Sequence, residues 1–97
     1  MPYVHVAHTP GQSLADYRAV AAEAVGDDPP QGLLVSIAGD ADGALHTVDV
    51  WDSQASADRF AAERLFPAFQ KTGRGPGAEA TYVAFETDQV SLDGGAR

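Results

Sequence analysis

Hydrophobic and polar residues alternate in four short stretches of the chain, and this alternation predicts four β-strands. In the first stretch Val4 and Val6 point to one face and His5 to the other, because successive side chains of a strand lie on opposite faces. The predicted strands span residues 2–8, 32–39, 44–51 and 79–86. Residues 40–43, Asp-Ala-Asp-Gly, have the composition of a hairpin turn, so the second and third strands should pair antiparallel.

Two helical segments separate these strands. The first begins at a capping box formed by Ser13 and Asp16 and ends at Gly26. Its apolar stripe consists of Leu14, Tyr17, Ala21, Ala24 and Val25. The second starts at residues 52–53, where a short polar side chain caps it, and Pro67 is expected to end or kink it. Its buried positions are predicted to be Ala57, Phe60, Ala61 and Leu65.

The order β-α-β-β-α-β predicts an α+β protein of the ferredoxin-like kind. In this fold two helices cover one face of a four-stranded antiparallel sheet. We expect residues 1–86 to form this single domain and residues 87–97 to form a polar C-terminal tail.

The same alternation divides the sheet into two faces of different character. The aliphatic face consists of Val4, Val6, Leu33, Val35, Ile37, Val48, Val50, Val83 and Phe85. We expect it to lie under the helices. The mixed face consists of Tyr3, His5, Leu34, Ser36, Ala38, Thr47, Asp49, Trp51, Tyr82, Ala84 and Glu86. Because a large aromatic patch usually marks an interaction site, the mixed face predicts a ligand pocket or a wet dimer interface, with two copies stacked around a cavity.

Composition and charge exclude several classes of partner. The formal net charge of -8 disfavours binding to nucleic acid and to an anionic membrane surface. No apolar stretch is long enough to span a membrane, and the first residues do not form a signal peptide. The chain has no cysteine, so we expect a cytoplasmic protein. Its 97 residues are near the lower end for an independent core, which favours a homodimer.

Candidate chemistry lies on the mixed face. His5 and Asp49 are predicted to be neighbours, and a carboxylate beside an imidazole can orient a general base, so both are candidate catalytic residues. Trp51 and Tyr82 can stack on a planar aromatic substrate. The other candidate substrate-binding residues are Tyr3, Ser36, Thr47 and Glu86. The alternative is that His5 only hydrogen-bonds within the strand layer.

Metal and nucleotide sites are not expected. His5 and His8 lie three residues apart on a strand, so they point to opposite faces and cannot share an ion, and His46 falls with the aliphatic face. The glycines of residues 73–77 neither follow a strand nor open a helix, so they are not a nucleotide fingerprint. We expect a mobile loop there, in which Arg74 meets either an anionic substrate or solvent.

Two motifs resemble a known superfamily. The strand end Val-Asp-Val-Trp-Asp-Ser at residues 48–53 and the run SQASADRFAAERLFPA at residues 53–68 are similar to the dimeric α/β-barrel superfamily, and within it to antibiotic biosynthesis monooxygenase-like domains. The resemblance covers residues 3–86. It implies a homodimer whose sheets enclose ligand pockets.

The resemblance implies several activities, because members of this superfamily oxygenate polyketides without metal or flavin, degrade haem, isomerise or cyclise. Haem-degrading members use a strand asparagine and a histidine on the second helix, but this chain has no asparagine and no histidine in residues 53–69. The missing asparagine also departs from the quinone-forming oxygenases, in which an amide can hold the substrate oxygen, so a histidine, a tyrosine or Ser36 would have to take its place. What remains is a cofactor-independent monooxygenase, or a proton-transfer cyclase or isomerase, acting on an aromatic or polyketide-like molecule of secondary metabolism. The alternative is a non-catalytic ligand-binding or assembly module of the same fold.

Overall fold

The strands and helices follow one another in the expected order. A computed structural model describes residues 1–91. The strands are β1 (Tyr3–Pro10), β2 (Leu33–Ala41), β3 (Ala44–Trp51) and β4 (Thr81–Glu86). The helices are α1 (Leu14–Ala24), α2 (Gln54–Phe60), a π-helical turn (Ala61–Leu65) and α3 (Phe66–Thr72). The ferredoxin-like arrangement predicted from the sequence is therefore confirmed.

The four strands form one antiparallel sheet in the order β2-β3-β1-β4. β1 and β3 are the central strands, and His5 of β1 lies directly opposite Asp49 of β3. Asp49 in turn lies opposite Ser36 of β2. A register shift between Leu33 and Val35 moves Leu33 into the row of Trp51. A bulge of this kind changes the face on which the preceding side chains lie, so the expected grouping of Leu33 with Val35 was wrong.

The connections form where the local sequence predicts them. Asp42 and Gly43 both have positive φ angles, of 54° and 76°, which is the backbone of a two-residue type I′ hairpin turn. Ser13 and Asp16 form the expected capping box: the Ser13 hydroxyl accepts from the Asp16 N–H, and the Asp16 carboxylate accepts from the Ser13 N–H. Of the two candidate caps for the second helix, Ser53 is the one whose side chain accepts from the Ser56 N–H.

Of the two outcomes expected at Pro67, an end or a kink, the second helical segment does not end there but continues after an irregular turn. Residues 54–72 are helical without a break, and the π-helical turn comes just before the proline. In that turn the N–H of Phe66 donates to the carbonyl of Ala61, five residues earlier. Proline has no N–H and its ring crowds the carbonyl four residues before it. The wider turn accommodates this defect, and the helix continues to Thr72.

The helices cover the mixed face of the sheet, so the expected assignment of the two faces was inverted. The Tyr17 hydroxyl of α1 lies 3.3 Å from the Ser36 hydroxyl, and the Trp51 indole packs on the Phe60 ring of α2. On the aliphatic face, by contrast, Ile37 is 58% exposed and Val83 is 61% exposed. The inversion has a physical reason: the space between sheet and helices is partly hollow, and a hollow interior does not need the more apolar face.

The solid part of the core is small and lies between the helices. Val20 and Ala24 of α1 pack against Ala68 of α3. The larger side chains that surround this cluster are Val25, Phe60, Leu65 and Phe69. Small residues at the centre let the two helices approach each other, whereas the aromatic rings lie nearer the sheet and border the cavity described below.

One backbone hydrogen bond lies beyond the last strand. Beyond β4, the N–H of Thr87 donates to the carbonyl of Pro2, so residue 87 still belongs to the folded unit. The expected polar tail spans residues 87–97, of which residues 92–97 lie outside the described part. Within residues 1–91 the helices are too short or too polar to cross a membrane.

Candidate functional site

A cavity of about 450 Å³ lies between the sheet and the helices. Its sheet side includes six of the eight predicted site residues: His5, Ser36, Thr47, Asp49, Trp51 and Tyr82. Its helix side includes Tyr17, Val20, Ala24, Phe60, Leu65 and Phe69. Apolar side chains make most of the wall, and the polar groups converge on the sheet side. This is the usual character of a small-molecule site.

The polar centre of the cavity is a row of three residues on adjacent strands. Ser36, Asp49 and His5 lie side by side on β2, β3 and β1 because of the strand register. The Ser36 hydroxyl donates to Asp49 Oδ1 over 2.7 Å. His5 lies next to Asp49, and its charge acts on the pKa of the Asp49 carboxyl. Within residues 1–91, no hydrogen bond joins the two side chains. The predicted neighbourhood of His5 and Asp49 is therefore present, while their direct hydrogen bond is not.

Burial in this row changes the acidity of Asp49. Loss of hydration raises the pKa of the Asp49 carboxyl above its ordinary value, because a charged carboxylate is less stable away from water. The hydrogen bond from Ser36 and the charge of His5 both lower the pKa, but they only partly offset burial. A carboxyl with a raised pKa inside a cavity is a candidate for proton transfer.

Tyr17 extends the polar row towards the helices, and the sequence alone did not identify it as a site residue. Its hydroxyl lies 3.3 Å from Ser36 Oγ. Because Ser36 uses its single hydrogen to bond Asp49, the hydrogen of the second contact belongs to Tyr17. Tyr17 therefore donates to Ser36. The sequence placed Tyr17 in the apolar stripe of α1, and a hydroxyl in that stripe was the available signal.

Trp51 and Tyr82 line different parts of the cavity. Trp51 is 4% exposed, and its indole packs on Phe60 with ring centres 5.3 Å apart, so it is both core and cavity wall. Tyr82 on the edge strand β4 is 52% exposed, and its ring lies 5.5 Å from that of His5. Trp51 thus supports the cavity from the interior, while Tyr82 meets it from the solvent side.

Two predicted site residues lie outside the cavity. Tyr3 and Glu86 continue the row of Trp51 towards β4, as the register shows. Neither belongs to the cavity wall, and Glu86 is exposed to solvent. The alternation correctly placed both residues on the mixed face, but this end of the row extends beyond the space that the helices enclose.

The loop after α3 borders the cavity and is tied to the start of α1. The Gln12 side chain donates to the carbonyls of Arg74 and Gly75, both over 2.9 Å. The Arg74 guanidinium forms an ion pair with Asp16, with Nε 3.4 Å from Oδ1. Arg74 and Pro76 also line the cavity. Arg74 is therefore already partnered by a carboxylate at the border of the cavity.

The cavity offers a base and a hydrogen-bond acceptor, and the described part of its lining does not form a metal-binding cluster. Within residues 1–91, no group of three or more histidine, aspartate or glutamate side chains is arranged to hold an ion. His5 and Asp49 can exchange a proton with a bound molecule, and the Tyr17 hydroxyl retains lone pairs that can accept a hydrogen bond. The aromatic side chains can pack on a planar ring.

The sequence matches no protein-family model and no curated protein. Solved structures are similar to the whole fold. Rv0793 from Mycobacterium tuberculosis has a TM-score of 0.70 at 12% identity, covering 94% of this chain and 100% of that chain. A mutant of SnoaB, a cofactor-independent oxygenase from Streptomyces nogalater, has a TM-score of 0.66 at 15% identity, covering 95% and 98% of the two chains.

A third similar structure was solved with a bound ligand. It is a monooxygenase from the gene ActVA-Orf6 of Streptomyces coelicolor in complex with Nanaomycin D, with a TM-score of 0.60 at 15% identity over 93% of this chain and 90% of that chain. At such identities the likeness concerns the fold rather than the reaction. The chain shares the ferredoxin-like fold with these solved structures, which is the fold that the sequence resemblance predicted.

Proposed function

We propose that this protein is a cofactor-independent enzyme that binds a small aromatic molecule in its cavity and removes a proton from it with His5. One observation carries the proposal: His5 and Asp49 lie side by side on the sheet side of a largely apolar cavity of about 450 Å³. This volume lies within the range of about 300–1,000 Å³ that small-molecule sites occupy. We propose oxygenation as the reaction, in the setting of secondary metabolism.

The polar row supports a role for His5 as a general base. When His5 takes a proton from the substrate it becomes a cation, and the adjacent Asp49 carboxylate stabilises that cation. Ser36 holds Asp49 through its hydrogen bond, and Tyr17 holds Ser36. The base is thus supported by a connected set of side chains that join the sheet to α1.

Oxygenation of an activated methylene group needs no cofactor in this scheme. His5 removes one proton from the substrate CH₂ group, and the carbanion gives its electrons to dioxygen. The resulting peroxide takes the proton back from His5, and the hydroperoxide then loses water to form a carbonyl. Over the whole reaction CH₂ and O₂ become C=O and H₂O, so one oxygen atom remains in the product. The similarity to SnoaB and ActVA-Orf6, both named as oxygenases, favours this reaction over other proton transfers.

The test uses anthrone as the probe, in buffer treated to remove metals. Oxygen uptake is measured with an electrode and the product by mass spectrometry, and the spontaneous oxidation without protein is subtracted. We expect the wild-type protein to form the quinone with one O₂ consumed per product molecule. His5→Ala should lower the rate by about 10²-fold, the lower end of what a general base contributes. Asp49→Asn should lower it less, because the base itself remains.

Asp27→Asn is the matched control, since Asp27 is an exposed loop carboxylate away from the cavity, and it should leave the rate unchanged. An unaltered rate in a folded His5→Ala variant contradicts the proposed base. Turnover of anthrone-like substrates without oxygen uptake would replace oxygenation by cyclisation or isomerisation. Binding without turnover in the wild type would instead favour the non-catalytic module.

We also propose that the protein is a homodimer that buries the rows of Val4 and Val6 on the aliphatic face of the sheet and leaves the row of His8 and His46, at the hairpin end, in solvent. In addition to Ile37 and Val83, Phe85 on this face is 48% exposed. A monomer seldom leaves such a contiguous apolar surface in water. A second copy is the partner that fits, because the face is flat, nearly uncharged and can complement itself about a two-fold axis.

A further inference from the structure

His8 and His46 form a pair of imidazoles on the face of the sheet opposite the cavity. They are directly opposite each other on the central strands β1 and β3. Both side chains are exposed, and their ring centres lie 4.9 Å apart with the planes tilted by 52°. The rings are therefore near one another without being stacked face to face. The sequence did not predict this pair, because it compared His8 only with His5 along the same strand.

The spacing of the two rings fits a shared metal ion. Histidine nitrogen binds zinc at about 2.0–2.1 Å, and a nearly tetrahedral angle between two such bonds places the ring centres about 5 Å apart. The observed separation of 4.9 Å agrees with this value. The ring separation is therefore compatible with a shared ion once rotation of the side chains turns one nitrogen of each ring towards it.

The hydrogen bond of His46 prepares this ring for coordination. His46 Nε2 lies 3.3 Å from the carbonyl oxygen of Ala41, and since a carbonyl can only accept, Nε2 carries the hydrogen. In the neutral ring this leaves the lone pair on Nδ1. Histidine ligands in metal sites commonly donate their other N–H to a backbone carbonyl in this way, which fixes the tautomer and the ring orientation.

Space for the rest of the coordination shell is also present. The neighbour of His46 on β2 is Gly39, which has no side chain, and a Cβ added there would meet nothing within 4 Å. Solvent can reach both rings, so water can supply the remaining ligands. We propose that His8 and His46 form a binding site for a divalent transition-metal ion, separate from the cavity and independent of the proposed reaction.

The test is isothermal titration of the tag-free protein with CuCl₂, NiCl₂ and ZnCl₂, each in a non-coordinating buffer. We expect one ion per chain, with Cu²⁺ bound more tightly than Ni²⁺ or Zn²⁺, as the general affinity order requires. His8→Ala and His46→Ala should each weaken binding by at least the factor of about ten that loss of a supporting contact costs. His5→Ala is the matched control, because it removes the remaining histidine, on the other face of the sheet, and should leave affinity unchanged.

A spectroscopic measurement makes the test independent of the stability of the variants. The electron paramagnetic resonance spectrum of the Cu²⁺ complex should show two imidazole nitrogens in the wild type and one in each single variant. His46→Gln, which is polar and close in size, repeats the comparison with little disturbance to β3. Binding that survives both His8→Ala and His46→Ala, or that is lost in His5→Ala, would overturn the proposal.

Discussion

At the scale of single residues, the fold determines both the position and the acidity of Asp49. Its position opposite both His5 and Ser36 comes from the register of three strands, and its raised pKa comes from burial beneath α1 and α2. The Ser36 hydrogen bond favours the ionised form but does not compensate for the lost hydration. Asp49 is therefore a carboxyl whose charged form the fold disfavours, which is the usual signature of a functional group rather than a stabilising one.

The raised pKa predicts how stability depends on pH. Between the ordinary aspartate pKa and the higher pKa in the folded protein, the native state binds more protons than the unfolded state. Its free energy of unfolding therefore falls as pH rises through this window. In the Asp49→Asn variant the side chain at this position does not titrate. We expect the difference in stability, wild type minus variant, to fall with rising pH and then level off.

Urea unfolding of both proteins from about pH 3 to about pH 8 measures this difference, since that interval spans the carboxyl range. Ser36→Ala provides a second check, because losing its hydrogen bond should raise the pKa of Asp49 further and extend the window to higher pH. A difference in stability that rises with pH would mean that the carboxylate is favoured by the fold, contrary to the structure.

At the scale of elements, the helical segment from residue 54 to residue 72 packs against both α1 and the sheet. Its π-helical turn carries Arg64, whose Nε donates to the carbonyl of Ala24 over 2.7 Å. Its Nη2 donates to the carbonyls of Val25 and Asp28 over 3.0 and 2.6 Å. The guanidinium also lies over the Phe60 ring, 5.7 Å from its centre. Arg64 thus bonds the carbonyl of Ala24 at the end of α1 and two carbonyls just beyond it, a place where a cation is favoured by the helix dipole.

Replacing Arg64 should therefore destabilise the fold. We expect Arg64→Ala to lower the free energy of unfolding by about 2 kcal/mol, the scale of hydrogen bonds from a charged donor. Arg64→Lys should recover only part of this, since an ammonium cannot reach three carbonyls with the planar geometry of guanidinium. Chemical denaturation measures the free energy of unfolding of the wild type, Arg64→Ala and Arg64→Lys.

Arg59→Ala is the control, because Arg59 is an exposed cation on α2 and should change stability by no more than about 0.5 kcal/mol. If Arg59→Ala and Arg64→Ala lowered the free energy of unfolding equally, the hydrogen bonds from Arg64 to the end of α1 would contribute little to stability.

At the scale of the whole molecule, the helices cover the face of the sheet whose composition indicates the opposite. The mixed face is covered by helices and lines a cavity, whereas the more apolar face is left in contact with solvent in a single chain. Val4 in the central strand is 9% exposed, while Val83 on the edge strand β4 is 61% exposed. A partner that covered the edge strands would therefore bury the most apolar surface.

The proposed homodimer is testable with one charge on this face. Val83→Asp should convert a dimer into a folded monomer, because an unpaired carboxylate would be buried in the interface. Sedimentation equilibrium measures the mass, and circular dichroism verifies the fold. Ala22→Asp, an exposed position on the outer side of α1, should leave the dimer intact. A wild-type protein that sediments as a monomer at all accessible concentrations would refute the dimer.

The sequence by itself determined the elements, their order and most of their boundaries. The capping box at Ser13 and the hairpin at residues 42–43 could be predicted because they depend on hydrogen bonds and backbone angles within a few residues. The neighbourhood of His5 and Asp49 was also predictable, since a β-α-β-β-α-β order restricts which strands are adjacent. The path of the helix past Pro67 was only partly predictable, because the proline indicates a break or a kink but does not specify the π-helical turn that accommodates it.

The tertiary structure alone decided which face the helices cover. Alternation separates the side chains of a strand into two sets but is the same whichever set faces inward. That choice depends on how α1 and α2 pack, on the bulge between Leu33 and Val35, and on a cavity that keeps polar groups inside the molecule. The role of Tyr17 became visible only then, because it depends on how α1 packs over β2. The pair of His8 with His46 follows from the same strand register as His5 with Asp49, so the strand order could have indicated it.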